Sequence, residues 1–433
     1  MKKRFFLLVS VSLLLSMVLF AQGAKETKVV AEKGDTTISI ISEWSSDTAT
    51  SKIFREKIAA VDAADNGIKV VSEMIGDEKS YYNKLRTRFA TGEFPDIFFD
   101  YGGARTADYV ESGILVDLQP FLDADPEWKA DFLPILDNWR YEAHPGALYG
   151  LPTGFYVVGL FYNKAIFAEL GLKAPTTMKE FEQVSDALMK AGYIPLSLGE
   201  KDVYRAGHIF NNLVMKSYGS EAVTALGNRT LSYDDPKIMK LYQMLFDYNN
   251  RGYFGANTIN KDANMAKTDF HSGKAAMHFD GTWYLGTAVS SPIADDISFI
   301  PFPTINPEFT NSWQGGTNGG LSVVNTGDKV KVEKAVQLLK ELTRGEFAKE
   351  QQAAVRGGVY PVFFESDPAV VSRISIEVAD AYANAEEFRS DIQNYDTNPK
   401  MLETVRVALQ GLFVGKTPKQ CADEIMLVVN AEK

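Results

Sequence analysis

Apolar residues recur along this chain in two rhythms, and the switch between them outlines the elements. Thr37-Ile38-Ser39-Ile40-Ile41 reads as a strand, whereas Ile53, Phe54, Ile58 and Val61 share one face of a helix. A second strand is expected over 68–71 and a second helix around Tyr81, Leu85 and Phe89. A third strand over 97–99 ends in Asp100-Tyr101-Gly102-Gly103. This βαβαβ alternation predicts a mostly parallel sheet with helices on its faces. Ligands of such sheets sit beyond the carboxyl ends of the strands. The loops after Ile41 and after Phe99 lie there, and each carries a carboxylate and an aromatic residue.

The pattern restarts after Leu148. Leu151-Pro152 breaks the chain, and residues 156–162 read as a strand. Thr177 followed by Glu180 predicts a capping box for a helix with Phe181, Val184 and Leu188 on its apolar face, stopped by Gly192. Further helices fit 209–218 and 238–249, and strands fit 194–198, 276–279, 297–300 and 321–324. Residues 311–316 are expected to be a loop, 332–343 an amphipathic helix, and the tail from Pro361 mainly helical.

At 433 residues the chain exceeds the size of a single hydrophobic core, so two or more lobes are expected. The net charge of −11 argues against nucleic acid or an anionic membrane as partner. One cysteine, Cys421, excludes an internal disulfide and a cysteine-based metal cluster. Four histidines show no zinc-site spacing, so neither metal nor cofactor is expected; His208, His271 and His278 read as ordinary structural residues. Aromatic residues reach 12%, which suits recognition by stacking. Residues 1–23 combine a basic start (Lys2, Lys3, Arg4), an apolar run and small residues around Gly23, the composition of a secretory signal peptide. Its removal would leave 42 basic against 56 acidic residues, a net charge of −14, with 24–36 as a flexible leader. No later apolar stretch is long enough to span a membrane.

No GxSxG elbow, Walker A loop or GxGxxG turn occurs. Several stretches together resemble one family, the extracellular solute-binding proteins of carbohydrate ABC importers. They are Phe89-Ala90-Thr91-Gly92-Glu93-Phe94-Pro95-Asp96-Ile97-Phe98; Leu148-Tyr149-Gly150-Leu151-Pro152 followed by Gly159-Leu160-Phe161-Tyr162-Asn163-Lys164; and Phe270-His271-Ser272-Gly273-Lys274-Ala275-Ala276-Met277 followed by Gly281-Thr282-Trp283. Gly315-Gly316 and Gly357-Gly358-Val359-Tyr360-Pro361 complete the order. The resemblance implies an α/β, two-lobe periplasmic binding protein (type II, maltose-binding-protein-like) with hinge crossings between discontinuous lobes. Lobe 1 would hold 37–152 and 318–360, and lobe 2 would hold 153–317 and 361–433. The implied partners are a small sugar ligand and a transmembrane ABC permease, and a monomer is expected. No cysteine lies near the signal junction, so a freely diffusing periplasmic form is expected rather than a lipid-tethered one.

A sugar presents apolar C–H patches to flat rings and hydroxyl pairs to planar polar groups. Trp283, beside Asp280, is the first candidate platform, since the resemblance places stacking there. Trp313 with Gln314 and Gly316, and Trp44 with Glu43, are further candidates that would serve equally as core residues. Asp100 is a hydroxyl acceptor or a turn residue. Tyr156 follows the first crossing, where the family presents a ligand contact. Glu200 and Tyr204 follow the 194–198 strand, and Arg356 and Tyr360 flank the Gly357-Gly358 turn; each has a surface or hinge role as its alternative. Trp128 and Trp139 read as packing. Two other functions remain open: a binding protein for glycerol-phosphate or a polyamine, and an exported glycoside hydrolase, for which no carboxylate pair stands out.

Overall fold

A computed structural model describes residues 34–432 except 134, 318, 397 and 399; the signal-peptide reading and most of the leader lie outside the described residues. The first sheet begins as the alternation predicts. Strand β1 (Thr36–Ser42) pairs in parallel with β2 (Ile68–Met74) and with β3 (Ile97–Asp100). Helices α1 (Ala49–Ala63) and α2 (Glu78–Thr91) make the crossovers, capped by Thr48 and Asp77. Helix α3 (Ala104–Glu111) follows β3. The chain then runs through β4 (Leu151–Pro152) into β5 (Phe155–Asn163), the central strand of a second sheet.

The second sheet is assembled from distant segments. Strands β6 (Ile194–Ser197), β7 (Ala275–Gly281), β8 (Ile297–Pro301) and β9 (Ser312–Thr317) gather around β5. Strand β10 (Gly320–Val323) returns to the first sheet, antiparallel to β3, and β11 (Glu387–Arg389) pairs in parallel with β9. Residues 311–316, expected as a loop, are mostly strand β9. Backbone pairing with Tyr156 and Val157 overrides the weak β-propensity of two glycines.

Helix α4 (Met178–Lys190) carries the predicted capping box, with Thr177 and Glu180 each accepting from the other's backbone amide. Helix α5 (Arg205–Gly227) is longer than its periodicity suggested and breaks at Gly219 (φ +79°). A Cβ there would lie 2.6 Å from the Phe309 ring, so only glycine fits. The Glu387 carboxylate accepts from Ser220 N and Oγ at the break, supplying a cap to the second half. The tail contains α6 (Arg373–Tyr382), α7 (Lys400–Leu412) and α8 (Pro418–Ala431).

Each sheet has its own core. Ile38, Ile40, Phe54, Phe98, Trp128, Trp139 and Leu339 fill the first; Leu160, Phe181, Phe210, Leu213, Tyr242 and Leu409 are among those filling the second. Three connections join the two bodies: Pro152 to Phe155, Thr317 to Gly320, and the stretch after Val355. In the third, Val359 O accepts from Phe155 N, while Pro361 O accepts from Leu133 N and Phe363 N donates to Asp131 O.

Candidate functional site

The carboxyl ends of β1 and β3 carry a compact acidic corner. Tyr101 Oη donates to Glu43 Oε2 at 3.1 Å. Asp100 Oδ1 accepts from the Tyr101 and Gly102 amides. Arg105 on α3 donates to Glu78 on α2 at 2.9 Å. Its guanidinium lies over the Tyr82 and Tyr101 rings, 5.1 and 4.7 Å from their centroids. The turn that brings these groups together uses Gly102 and Gly103 at φ +68° and +60°. Burial, helped by the Glu78 charge, pushes the Glu43 carboxyl up to about 8. Burial likewise pushes Asp100 up to about 6, although Arg105 and the two amides oppose it.

Lobe 2 supplies a ring cluster and an anion hub. The Tyr156 ring, from β5, lies 5.5 Å from Trp283 and 6.5 Å from His208. His208 lies 5.7 Å from Trp283, and Tyr204 stands edge-on to His208 at 5.4 Å. Asp391, just after β11, receives Asn211 Nδ2 at 3.0 Å, Gln314 Nε2 at 2.9 Å and Arg406 Nη2 at 3.0 Å. His208 Nε2 lies 3.4 Å from the same carboxylate. Burial works against its charge, but His208 and Arg406 hold the carboxyl well below the usual carboxylate range.

The two groups face each other. Gly103 backs onto the Asn394 carbonyl: a Cβ on Gly103 would lie 3.0 Å from that oxygen. Glu78, itself half-exposed, feels both Arg105 from its own lobe and Arg406 from the other; they outweigh its burial and hold its carboxyl low. Among the described residues, eight buried side-chain atoms without a hydrogen-bond partner lie here. Glu43 Oε1, Tyr82 Oη, Asp100 Oδ2 and Arg105 Nε belong to the first lobe; His208 Nδ1, Asn211 Oδ1, Asn212 Oδ1 and Arg406 Nε belong to the second. An unpaired buried polar atom costs about 1–3 kcal/mol, so these atoms are open to hydroxyl or amide partners.

The sequence candidates divide. Glu43, Asp100, Tyr156, Tyr204 and Trp283 belong to the facing groups, and Gln314 holds Asp391 in place while accepting from Asn212. Gly316 pairs with Tyr156 through the backbone of β9. The remaining candidates have other partners. Asp280 is fully buried and bound to Arg205, with His278 Nε2 3.1 Å away, so its carboxylate has no capacity left for a ligand. Trp313 is a core residue at 3% exposure, packed on Phe299 and edge-on to Tyr382. Trp44 stacks on Phe54 at 3.8 Å inside the first core. Glu200 is buried just before α5; its Oε2 accepts from Ala206 N, while Oε1 is buried without a partner. Arg356 is exposed at the left-handed end (φ 56°) of the helix Gly345–Val355, and Tyr360 Oη bonds Gly357 O, so both shape the third connection.

Sequence reasoning missed Glu78, Tyr82, Tyr101, Arg105, Asp391 and Arg406, and set His208 aside as structural. Tyr101 adjoins Asp100 at a strand end and was within reach of the same rule. Asp391 and Arg406 sit in a helical tail with no motif, and only the pairing of β11 with β9 brings Asp391 to the site.

Two lobes, each an α/β sheet with its own core, with polar groups facing across three connections, describe a solute-binding protein. The chain matches the bacterial extracellular solute-binding protein family over residues 44–346 and belongs to it. The melibiose/raffinose/stachyose-binding protein MelE of Bacillus subtilis is 23% identical over 396 residues, covering 88% of this chain and 85% of MelE. Among solved structures, a chitin oligosaccharide binding protein aligns with a TM-score of 0.84 at 24% identity, covering 92% of this chain and 99% of that one. The binding protein RafE in complex with raffinose gives 0.74 at 17% identity, covering 90% and 98%. The fold is thus the two-lobed, maltose-binding-protein-like α/β architecture that the sequence predicted. Among the described residues no helix is long and apolar enough to cross a membrane.

Proposed function

We propose that this protein captures a sugar or oligosaccharide between its lobes and delivers it, chemically unchanged, to an ABC permease. The observation that carries the reading is the set of buried polar atoms without a hydrogen-bond partner on both lobes, with the Tyr156, Trp283 and His208 rings clustered on the lobe 2 side. Flat rings cover C–H faces, and each unmatched polar atom penalises a wrong hydroxyl pattern by about 1–3 kcal/mol. The saccharide ligands named for MelE and for the aligned binding proteins support the same class. Lobe 1 comprises 37–152 and 318–360, extended to Phe364 because Pro361 and Phe363 bond to residues 131–133; lobe 2 comprises 153–317 and 365–433. The chain is exported by a signal peptide cut near Gly23. It works as a periplasmic monomer.

Turnover is not part of this reading. A glycoside hydrolase needs an acid and a free second carboxylate flanking one bond. Asp391 is fully engaged by its donors, and Glu43 and Asp100 sit together on one lobe. A thermal-shift screen with raffinose, stachyose, chitin oligosaccharides, spermidine and glycerol-phosphate tests the proposal. A saccharide at 100 times Kd should stabilise the protein by about 2.7 kcal/mol. Stabilisation by spermidine or glycerol-phosphate alone, or release of sugar fragments, would overturn it.

A further inference from the structure

The acidic corner of lobe 1 holds more carboxylates than cations. Glu43, Glu78 and Asp100 share one guanidinium, Arg105, which is committed to Glu78 and to two tyrosine rings. Asp100 has two backbone amides to stabilise a negative charge, whereas Glu43 has only the Tyr101 hydroxyl. Its other oxygen, Oε1, is buried without a partner. The least costly way to neutralise such a corner is a proton on Glu43.

We propose that Glu43 binds the ligand as a neutral carboxylic acid, its Oε1–H donating to a saccharide oxygen, so that affinity for an uncharged sugar falls in alkaline solution. This rests on the saccharide reading above. The groups facing Glu43 are Glu78, Tyr81 and Tyr82 on α2, Asp100 and Tyr101 at the end of β3, and Arg105 on α3. From lobe 2, Arg406 acts on this corner through Glu78. Burial and the Glu78 charge raise the Glu43 carboxyl to about 8, against the Tyr101 hydrogen bond and Arg105. Below that value the acid is ready to donate. Above it, binding must first recover a proton from solvent.

The test is calorimetric titration with raffinose, stachyose and chitin oligosaccharides between pH 6 and 10, in buffers of different ionisation enthalpy. Kd should be flat up to about pH 8 and then weaken about tenfold per pH unit, with uptake of about one proton per sugar at pH 9. Glu43→Gln, which cannot titrate, should abolish both the slope and the proton uptake. Glu78→Gln removes a neighbouring like charge and should move the midpoint to lower pH. A wild-type profile flat to pH 10, or a slope that persists in Glu43→Gln, overturns the inference and leaves the saccharide reading standing. No binding of any of these sugars at pH 7 overturns both.

Discussion

The two lobes bring carboxylates to the same cleft in opposite electrostatic states. Asp391 in lobe 2 accepts from Asn211, Gln314 and Arg406 with His208 beside it, and is held ionised. Glu43 in lobe 1 accepts one tyrosine hydroxyl, stands near two other acids, and is pushed up to about 8. Burial opposes charge at both positions. What differs is the number of donors and cations that the fold delivers, and that number decides whether a buried acid serves as an anchor for other side chains or as a proton donor. Asp280, clamped by Arg205 and His278, follows the rule of Asp391.

The strongest way to break this comparison is to remove the hub. Asp391→Ala leaves Arg406 and His208 facing each other without their shared anion and should destabilise the fold by about 3–5 kcal/mol in urea denaturation. Glu43→Ala should cost less than about 1 kcal/mol in the same assay, since it leaves no buried cation unpaired. Equal losses would mean that donor count does not distinguish the two acids.

Next in size is the ring platform of lobe 2. Trp283→Ala should weaken saccharide binding by about 2–4 kcal/mol, roughly 30- to 1,000-fold, with a wild-type unfolding midpoint. Trp313→Leu should do the reverse, lowering the midpoint and sparing affinity, because its ring is sealed in the lobe 2 core. Isothermal titration beside thermal unfolding separates the two.

Glu200 asks whether the lobe or the donor count matters. It lies in lobe 2 but accepts only the Ala206 amide, and burial raises it to about 8. An acid with a raised folded-state pKa binds its proton more tightly in the folded chain. Its contribution is complete below about pH 4.5 and is lost as pH rises to about 8. Asp391 and Asp280 have the opposite sign and lose their contribution as the pH drops below the ordinary carboxylate range. Stability should therefore fall from pH 5 to pH 8 in the wild type, and Glu200→Gln should recover on the order of 2 kcal/mol at pH 8 relative to pH 5. An unchanged pH profile in that variant would tie the effect to lobe 1 alone.

The smallest effect is expected outside both clusters. Arg356→Gly relieves a left-handed backbone at a helix end and should stabilise by about 0.5–1 kcal/mol with no change in affinity. A loss of affinity would bring Arg356 back into the site.

Local chemistry was legible from residue order alone. The βαβαβ opening, the Thr177–Glu180 capping box, the Trp128 and Trp139 packing positions and the two-lobed family pattern all depend on neighbours within a few residues or on a periodic face. Such signals survive in one dimension. The strand-end rule also placed Glu43 and Asp100 beyond the carboxyl ends of β1 and β3, and the family resemblance singled out Tyr156 and Trp283. Tertiary structure decided the rest: that Asp280 is consumed by Arg205, that Trp313 points into a core, and that Asp391 and Arg406 come from the tail to face Glu78 of lobe 1. The reason is physical. Whether a carboxylate is free, paired or protonated depends on donors and burial within a few ångströms, and here those donors arrive from segments that meet only when the sheets close.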